Sequence, residues 1–132
     1  MLQLVYVSFA DPAWNGDLHA LCDQARANNA RDEITGILLV HHGSFLQVLE
    51  GPMAHVENTF IRIVTDPRHH ALALLSRRVL VGREFGEWAM MGLEDERARH
   101  EAIARVGRIV AAGNAAALPE FYRHFPAVDT QA

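Results

Sequence analysis

Gln47 is the residue whose chemistry is hardest to explain away. It sits inside Phe45-Leu46-Gln47-Val48-Leu49, where alternation puts Phe45, Gln47 and Leu49 on one strand face and Leu46 and Val48 on the other. Both faces are apolar, so the run reads as a central strand. A primary amide buried there without partners costs about 1–3 kcal/mol, so Gln47 must have them. The polar groups expected on the same side are Tyr6, Ser8, Asn29, Arg62, Asp66 and one of His69 or His70. They contain no pair of close acids, no Ser-His-Asp order at an elbow and no metal-ligand spacing. A phenol, a hydroxyl and neutral amides instead suit a flat heterocycle that needs donors and acceptors around its edge.

Most of these residues also have an ordinary structural explanation. A strand Tyr is usually core, Asn28-Asn29 suits a helix C-cap, His41-His42 an exposed turn, and Arg62 with Asp66 an i, i+4 helix pair. Only Gln47 resists such a reading when taken alone.

The elements that must position these groups follow from periodicity. Leu2–Phe9 is an apolar, β-branched run ending at Asp11-Pro12, and reads as the first strand. Leu18, Leu21, Cys22 and Ala25 recur at helical spacing after Asn15 or Asp17, either of which suits a cap. Ile34–Val40 and Phe45–Leu49 flank His41-His42-Gly43-Ser44 as a hairpin. Pro52 opens a second helix with the stripe Val56, Phe60 and Ile63, closed by Asp66-Pro67. Ala71–Val81 and Glu87–Leu93 read as strands four and five, the last carrying Trp88 and Met90.

The order β-α-β-β-α-β predicts an α+β, ferredoxin-like sandwich with an added fifth strand. Right-handed crossovers predict strands one and three side by side and parallel, with two helices over one sheet face. Beyond Leu93, Ile103, Val106 and Val110 at helical spacing and then Leu118, Phe121, Tyr122 and Phe125 predict C-terminal helices over the other face. The expected division is a domain over residues 1–93 and a helical extension over 94–132, within one compact unit.

Composition narrows the function. At 132 residues and 50% hydrophobic, the chain is long enough for one core and too short for two ordinary domains. All 12 basic residues are Arg, spread along the chain, and the net charge is −4, which argues against a nucleic-acid surface. With no Lys, Schiff-base chemistry is excluded. Cys22 is the only cysteine, so no intramolecular disulfide or Cys-pair metal site forms. No apolar stretch reaches the roughly 20 residues of a membrane span, which predicts a cytoplasmic protein.

Five ordered motifs together carry a specific resemblance: Tyr6-Val7-Ser8; Asn29 with Ile34-Thr35-Gly36; Phe45-Leu46-Gln47-Val48-Leu49-Glu50-Gly51; Asp66-Pro67-Arg68-His69; and Arg83-Glu84-Phe85 leading into Trp88-Ala89-Met90. In these the chain resembles the BLUF family of flavin-based blue-light sensors. The resemblance implies FAD, or FMN, held non-covalently between the two helices. It implies Tyr6 as electron donor and Gln47 as the switching amide, with Trp88 and Met90 relaying the signal. The flavin contacts it implies are Tyr6, Ser8, Asn28, Asn29, Gln47, Arg62, Ile63, Asp66, Arg68, His69 and His70. Glu33 stands where the family commonly has a small residue, and Ala89 replaces a serine; neither removes a flavin contact.

An excited flavin is a strong one-electron oxidant, a phenol is an oxidisable donor, and an amide between them can pass a proton and then change its hydrogen bonding. Nothing is turned over, so the protein is expected not to be an enzyme. Since only 39 residues follow Leu93, output is expected through a homo-oligomer or a protein partner. Two other readings compete. An acylphosphatase-like hydrolase needs an Arg-bearing phosphate loop after strand one, and Ala10–Gly16 has no Arg. A flavin-free interaction module on the same fold leaves Tyr6, Asn29 and Gln47 without a purpose.

Overall fold

The computed structural model describes residues 1–14, 16–17, 20, 23–24, 27, 31–85, 89–92 and 96–126, with backbone alone at 89–92. Five strands form one sheet: β1 (Leu2–Ala10), β2 (Thr35–His41), β3 (Ser44–Gly51), β4 (His69–Val79) and β5 (Ala89–Gly92), in the spatial order β4-β1-β3-β2-β5. The helices with defined bounds are α1 (Met53–Val64), α2 (Glu96–Gly113) and α3 (Leu118–His124). Of the helix expected before β2, Ala20, Asp23, Gln24, Ala27, Arg31 and Asp32 are helical; its other residues, Asn28 and Asn29 included, lie outside the described residues.

One expectation about the sheet is corrected. β1 and β3 are neighbours, but they run antiparallel, not parallel. Since β3 opposes both of its neighbours, β1 and β2 are the strands of common direction, and the hairpin returns β3 between them. The hairpin is tight because His42 (φ 50°) and Gly43 (φ 77°) both take positive φ, the type I′ geometry that matches strand twist.

Alternation divides the apolar residues between two cores. Leu2, Leu4, Tyr6, Leu38, Phe45 and Leu49 pack against Val56, with Phe60 and Ile63 of α1 half-buried beside them. On the other face, Val5, Val7, Ile37, Leu39, Leu46 and Val48 pack against Ile103, Val106 and Val110 of α2 and against Phe121 and Phe125. The C-terminal helices therefore cover the second face as expected, although Tyr122 points outward, 38% exposed.

β4 starts two residues before the expected Ala71 and stops at Val79, because β1 continues to Ala10 and pairs with His69 and His70. It also carries two irregularities of register, between Val5/Tyr6 and Val7/Phe9, the second next to Ala71 at φ 54°. Such bulges change which face a side chain takes, and here they decide the site.

Candidate flavin-binding site

Tyr6 and Gln47 occupy directly opposed positions of the β1–β3 ladder, so both side chains stand on the face covered by α1. Both are buried, Tyr6 to 2% exposure and Gln47 to 6%. The Tyr6 ring tilts against Phe60 at 5.6 Å and His69 at 6.4 Å between centroids. Burial, with a smaller contribution from the Asp66 carboxylate, pushes the Tyr6 hydroxyl well above the ordinary phenol range. It stays protonated at neutral pH.

Ser8 follows two residues on and shares Tyr6's face. Against it, β4 supplies an extra residue: Val7 pairs with Ala73 but Phe9 with His70, so Leu72 and Ala71 lie between. That extra residue turns His69 towards Ser8 and His70 to the opposite side. His69 Nδ1 is 2.7 Å from Ser8 Oγ and Nε2 is 2.7 Å from the Ile63 carbonyl oxygen. A carbonyl only accepts, so Nε2 carries the hydrogen, and in the neutral ring Ser8 donates to Nδ1. His69 thus joins β1, β4 and the end of α1. His70 is exposed and sets its ring 6.1 Å from Phe9, whose own ring stacks on His124 beneath the second face. Of the two histidines, His69 is the one on the Tyr6 face.

Arg62 and Asp66 do not pair with each other. Arg62 donates to Thr59 Oγ1 at 3.1 Å and lies 3.5 Å from Asp32, half-exposed. Asp66 instead accepts the Arg68 backbone N–H at 2.9 Å and both Nε and Nη2 of its guanidinium. These hydrogen bonds hold the Asp66 carboxyl below the usual carboxylate range and raise the Arg68 guanidinium further. Arg68 Nη1 also donates to Gln24 at 3.1 Å. The Arg62–Asp32 and Arg68–Gln24 contacts, with His55 Nδ1 at 2.7 Å from the Asp32 carbonyl, set the first helical segment beside α1 and the start of β4.

Aromatic walls complete the face. Trp14 lies 5.2 Å from Phe45, and Phe45 meets His69 edge-on at 6.0 Å. Beside Arg68 opens a cavity of about 480 Å³, lined in part by Asp11, Trp14, Gln24 and Pro67. Phe45 and Phe60 were visible in the strand and helix patterns. Trp14 was not, because a loop residue has no periodicity to announce it.

The donor set of this face fits a flavin. A buried phenol and a buried amide, with the hydrogen-bonded Ser8–His69 pair and the Arg68 guanidinium beside them, edge an otherwise apolar floor between α1 and the first helical segment. Asn28, Asn29 and Trp88 lie outside the described residues, and Met90 is placed only by its backbone in β5. Among the described residues no cluster of His, Cys, Asp or Glu suits a metal ion, and no helix is long and apolar enough to cross a membrane.

Residues 1–91 match the family model described as BLUF, sensors of blue light using FAD. The photoactivated adenylate cyclase subunit beta of Euglena gracilis is 38% identical over 95 residues, which are 70% of this chain and 11% of that protein, so the chain spans only a small part of that relative's length. The dark-state structure of BlrB, a BLUF protein, superposes with a TM-score of 0.70 at 26% identity, covering 99% of this chain and 96% of that one. The photo-activated state of BlsA gives 0.69 at 27% identity, over 77% and 74% of the two chains. This chain belongs to the BLUF family of flavin-based blue-light sensors.

Proposed function

We propose that this chain is a photoreceptor whose working pair is Tyr6 and Gln47, with FAD as the flavin and Ser8, Asn28, Asn29, Arg62, Ile63, Asp66, Arg68 and His69 forming its surroundings. The observation that carries this reading is the direct cross-strand opposition of a buried phenol and a buried amide on one sheet face. A bound flavin supplies, on absorbing blue light, a strong one-electron oxidant. Tyr6 answers as the donor, and because its hydroxyl is held protonated it must release a proton when it gives up an electron. Gln47 is the group placed to take part in that proton's path. Its amide has an accepting oxygen and a donating nitrogen, so rotation or tautomerisation reverses the hydrogen bond it presents. The FMN ring is the same, so the ring contacts alone serve either cofactor.

Output is read as leaving through β5, with Trp88 and Met90, and through the C-terminal helices, which β3 also touches. Leu46 and Val48 flank Gln47 in sequence and pack on the opposite face against the core of α2 and α3. A change at Gln47 is therefore one residue away from the C-terminal helices, which would pass it to a second copy or a protein partner. On this reading the domain proper ends near residue 93, the extension is the presenting surface, and the protein works as a cytoplasmic sensor, not a catalyst.

The test is direct. Purified protein should be yellow, and blue light should shift its flavin absorption reversibly to longer wavelength. A colourless protein that takes up neither FAD nor FMN would favour the interaction-module reading.

A further inference from the structure

One rung of polar residues crosses four strands on the face opposite the flavin side: Arg78, Gln3, Glu50 and Thr35 are successive register partners on β4, β1, β3 and β2. At its centre Glu50 and Gln3 are both fully buried. Arg78 Nε donates to Gln3 Oε1 at 3.0 Å, and Gln3 Nε2 donates to Glu50 Oε2 at 2.7 Å. Two further donors to Glu50 come from the chain just before β5: Glu84 N at 3.0 Å and Phe85 N at 2.7 Å. A carboxylate only accepts, and each of these three donors is an N–H. Arg83 closes the same segment from outside, donating to Thr35 Oγ1 at 2.8 Å and to the Glu50 and Glu33 carbonyls at 2.9 and 2.6 Å. Phe85 is itself fully buried in the second core.

We infer that Glu50 is a positioning residue of the light response: through the Glu84 and Phe85 amides it fixes where the chain enters residues 86–88 and β5, and so sets the rate at which the lit state returns to the dark one. The inference rests on the photoreceptor reading. Glu50 stands three positions from Gln47 along β3, with its side chain on the other side of the sheet. β3 therefore holds both the amide pivot and the anchor of the segment that carries Trp88 and Met90.

One substitution tests the anchor without emptying its site. Glu50→Gln puts an NH₂ where an oxygen meets the Gln3 NH₂, so two donors face each other and the anchor loosens. The same NH₂ also meets the Glu84 backbone N–H, which lies 3.0 Å from Glu50 Oε2, a second pair of opposed donors. The flavin-loaded full chain is compared as wild type and E50Q, by amide exchange at Glu84 and Phe85, by the light-induced spectral shift, and by the rate of dark return. E50Q should keep the dark spectrum, speed exchange at both amides and change the return rate by about fivefold or more, the low end of typical coupling. Fast loop exchange with a wild-type return rate would make Glu50 merely structural and overturn the inference, as would unchanged exchange. Should E50Q not fold, R83Q releases the same segment from the surface, and a wild-type return rate there overturns it equally. A wild type with no spectral shift refutes the photoreceptor reading instead, and is told apart because it fails before any substitution.

Discussion

Tyr6 and Gln47 are register partners at the centre of an antiparallel pair, and neither depends on a loop for its position. Opposed strand residues hold their Cβ atoms about 4.5–5.5 Å apart, so phenol and amide stay in reach through any loop motion. On the proposed mechanism, an exchange between them would be a property of the sheet.

Removing only the hydroxyl tests the donor. Tyr6→Phe keeps the ring against Phe60, so flavin binding and stability should stay near wild type. The reversible red shift should vanish, because the oxidisable group and its releasable proton are gone. Dark and illuminated absorption spectra of the variant decide it; a full-sized shift would remove Tyr6 from the role.

Gln47→Ala tests the pivot. The methyl leaves no side chain on that face of β3 that can both accept and donate, because its neighbours there, Phe45 and Leu49, are apolar. Flavin should bind equally or more weakly, with no signalling state. Normal photoswitching would place the amide pivot elsewhere.

The contrast between His69 and His70 marks how far the sequence can be read. Alternation placed Phe45, Gln47 and Leu49 together correctly, since β3 pairs with both neighbours without a break in register. Across β1–β4 the same counting fails, because the extra residue opposite Ser8 inverts the parity of everything before it. Ala71 at φ 54° is a left-handed alanine, and no residue type flags that in advance. The parallel direction expected for β1 and β3 failed for another reason: a crossover fixes its own two strands, and the hairpin between them sets the third. Glu50 escaped notice because a carboxylate next to a glycine at a strand's end looks like a solvated terminus, and only its partners reveal burial.

Gly36 should be far less replaceable than Gly43, although both have positive φ. A Cβ at Gly36 (φ 152°) would sit 1.8 Å from the Val48 carbonyl oxygen, a backbone atom of β3 that cannot step aside. At Gly43 nothing lies within 4 Å. Gly36→Ala should cost about 3 kcal/mol or more from overpacking and strain together, against about 1–2 kcal/mol for the left-handed conformation alone in Gly43→Ala. Chemical denaturation of the two variants ranks them. Equal losses would mean that β2 shifts to relieve the clash.

The last prediction concerns the docking of α3. His124 stacks on Phe9 at 4.2 Å, its Nδ1 lies 3.0 Å from Ser44 Oγ, and its side chain is wholly buried where α3 meets the hairpin and the end of β1. Nε2 sits 3.3 Å from Glu120 but makes no aligned hydrogen bond. Burial lowers the affinity of His124 for a proton below that of an ordinary histidine, and it outweighs the Glu120 carboxylate, which acts the other way; Arg123 adds a little to the lowering. The unfolded chain therefore binds this proton more readily than the folded one. The stability it contributes is present above the unfolded value, near 6.5, and is lost as pH falls below it. His124→Gln keeps a side-chain partner for Ser44 but cannot titrate. Thermal midpoints at pH 7.5 and pH 5.5 should fall further for wild type than for this variant. A wild-type fall no larger than that of His124→Gln would show that His124 protonates without cost, with Glu120 swinging in to pair with it.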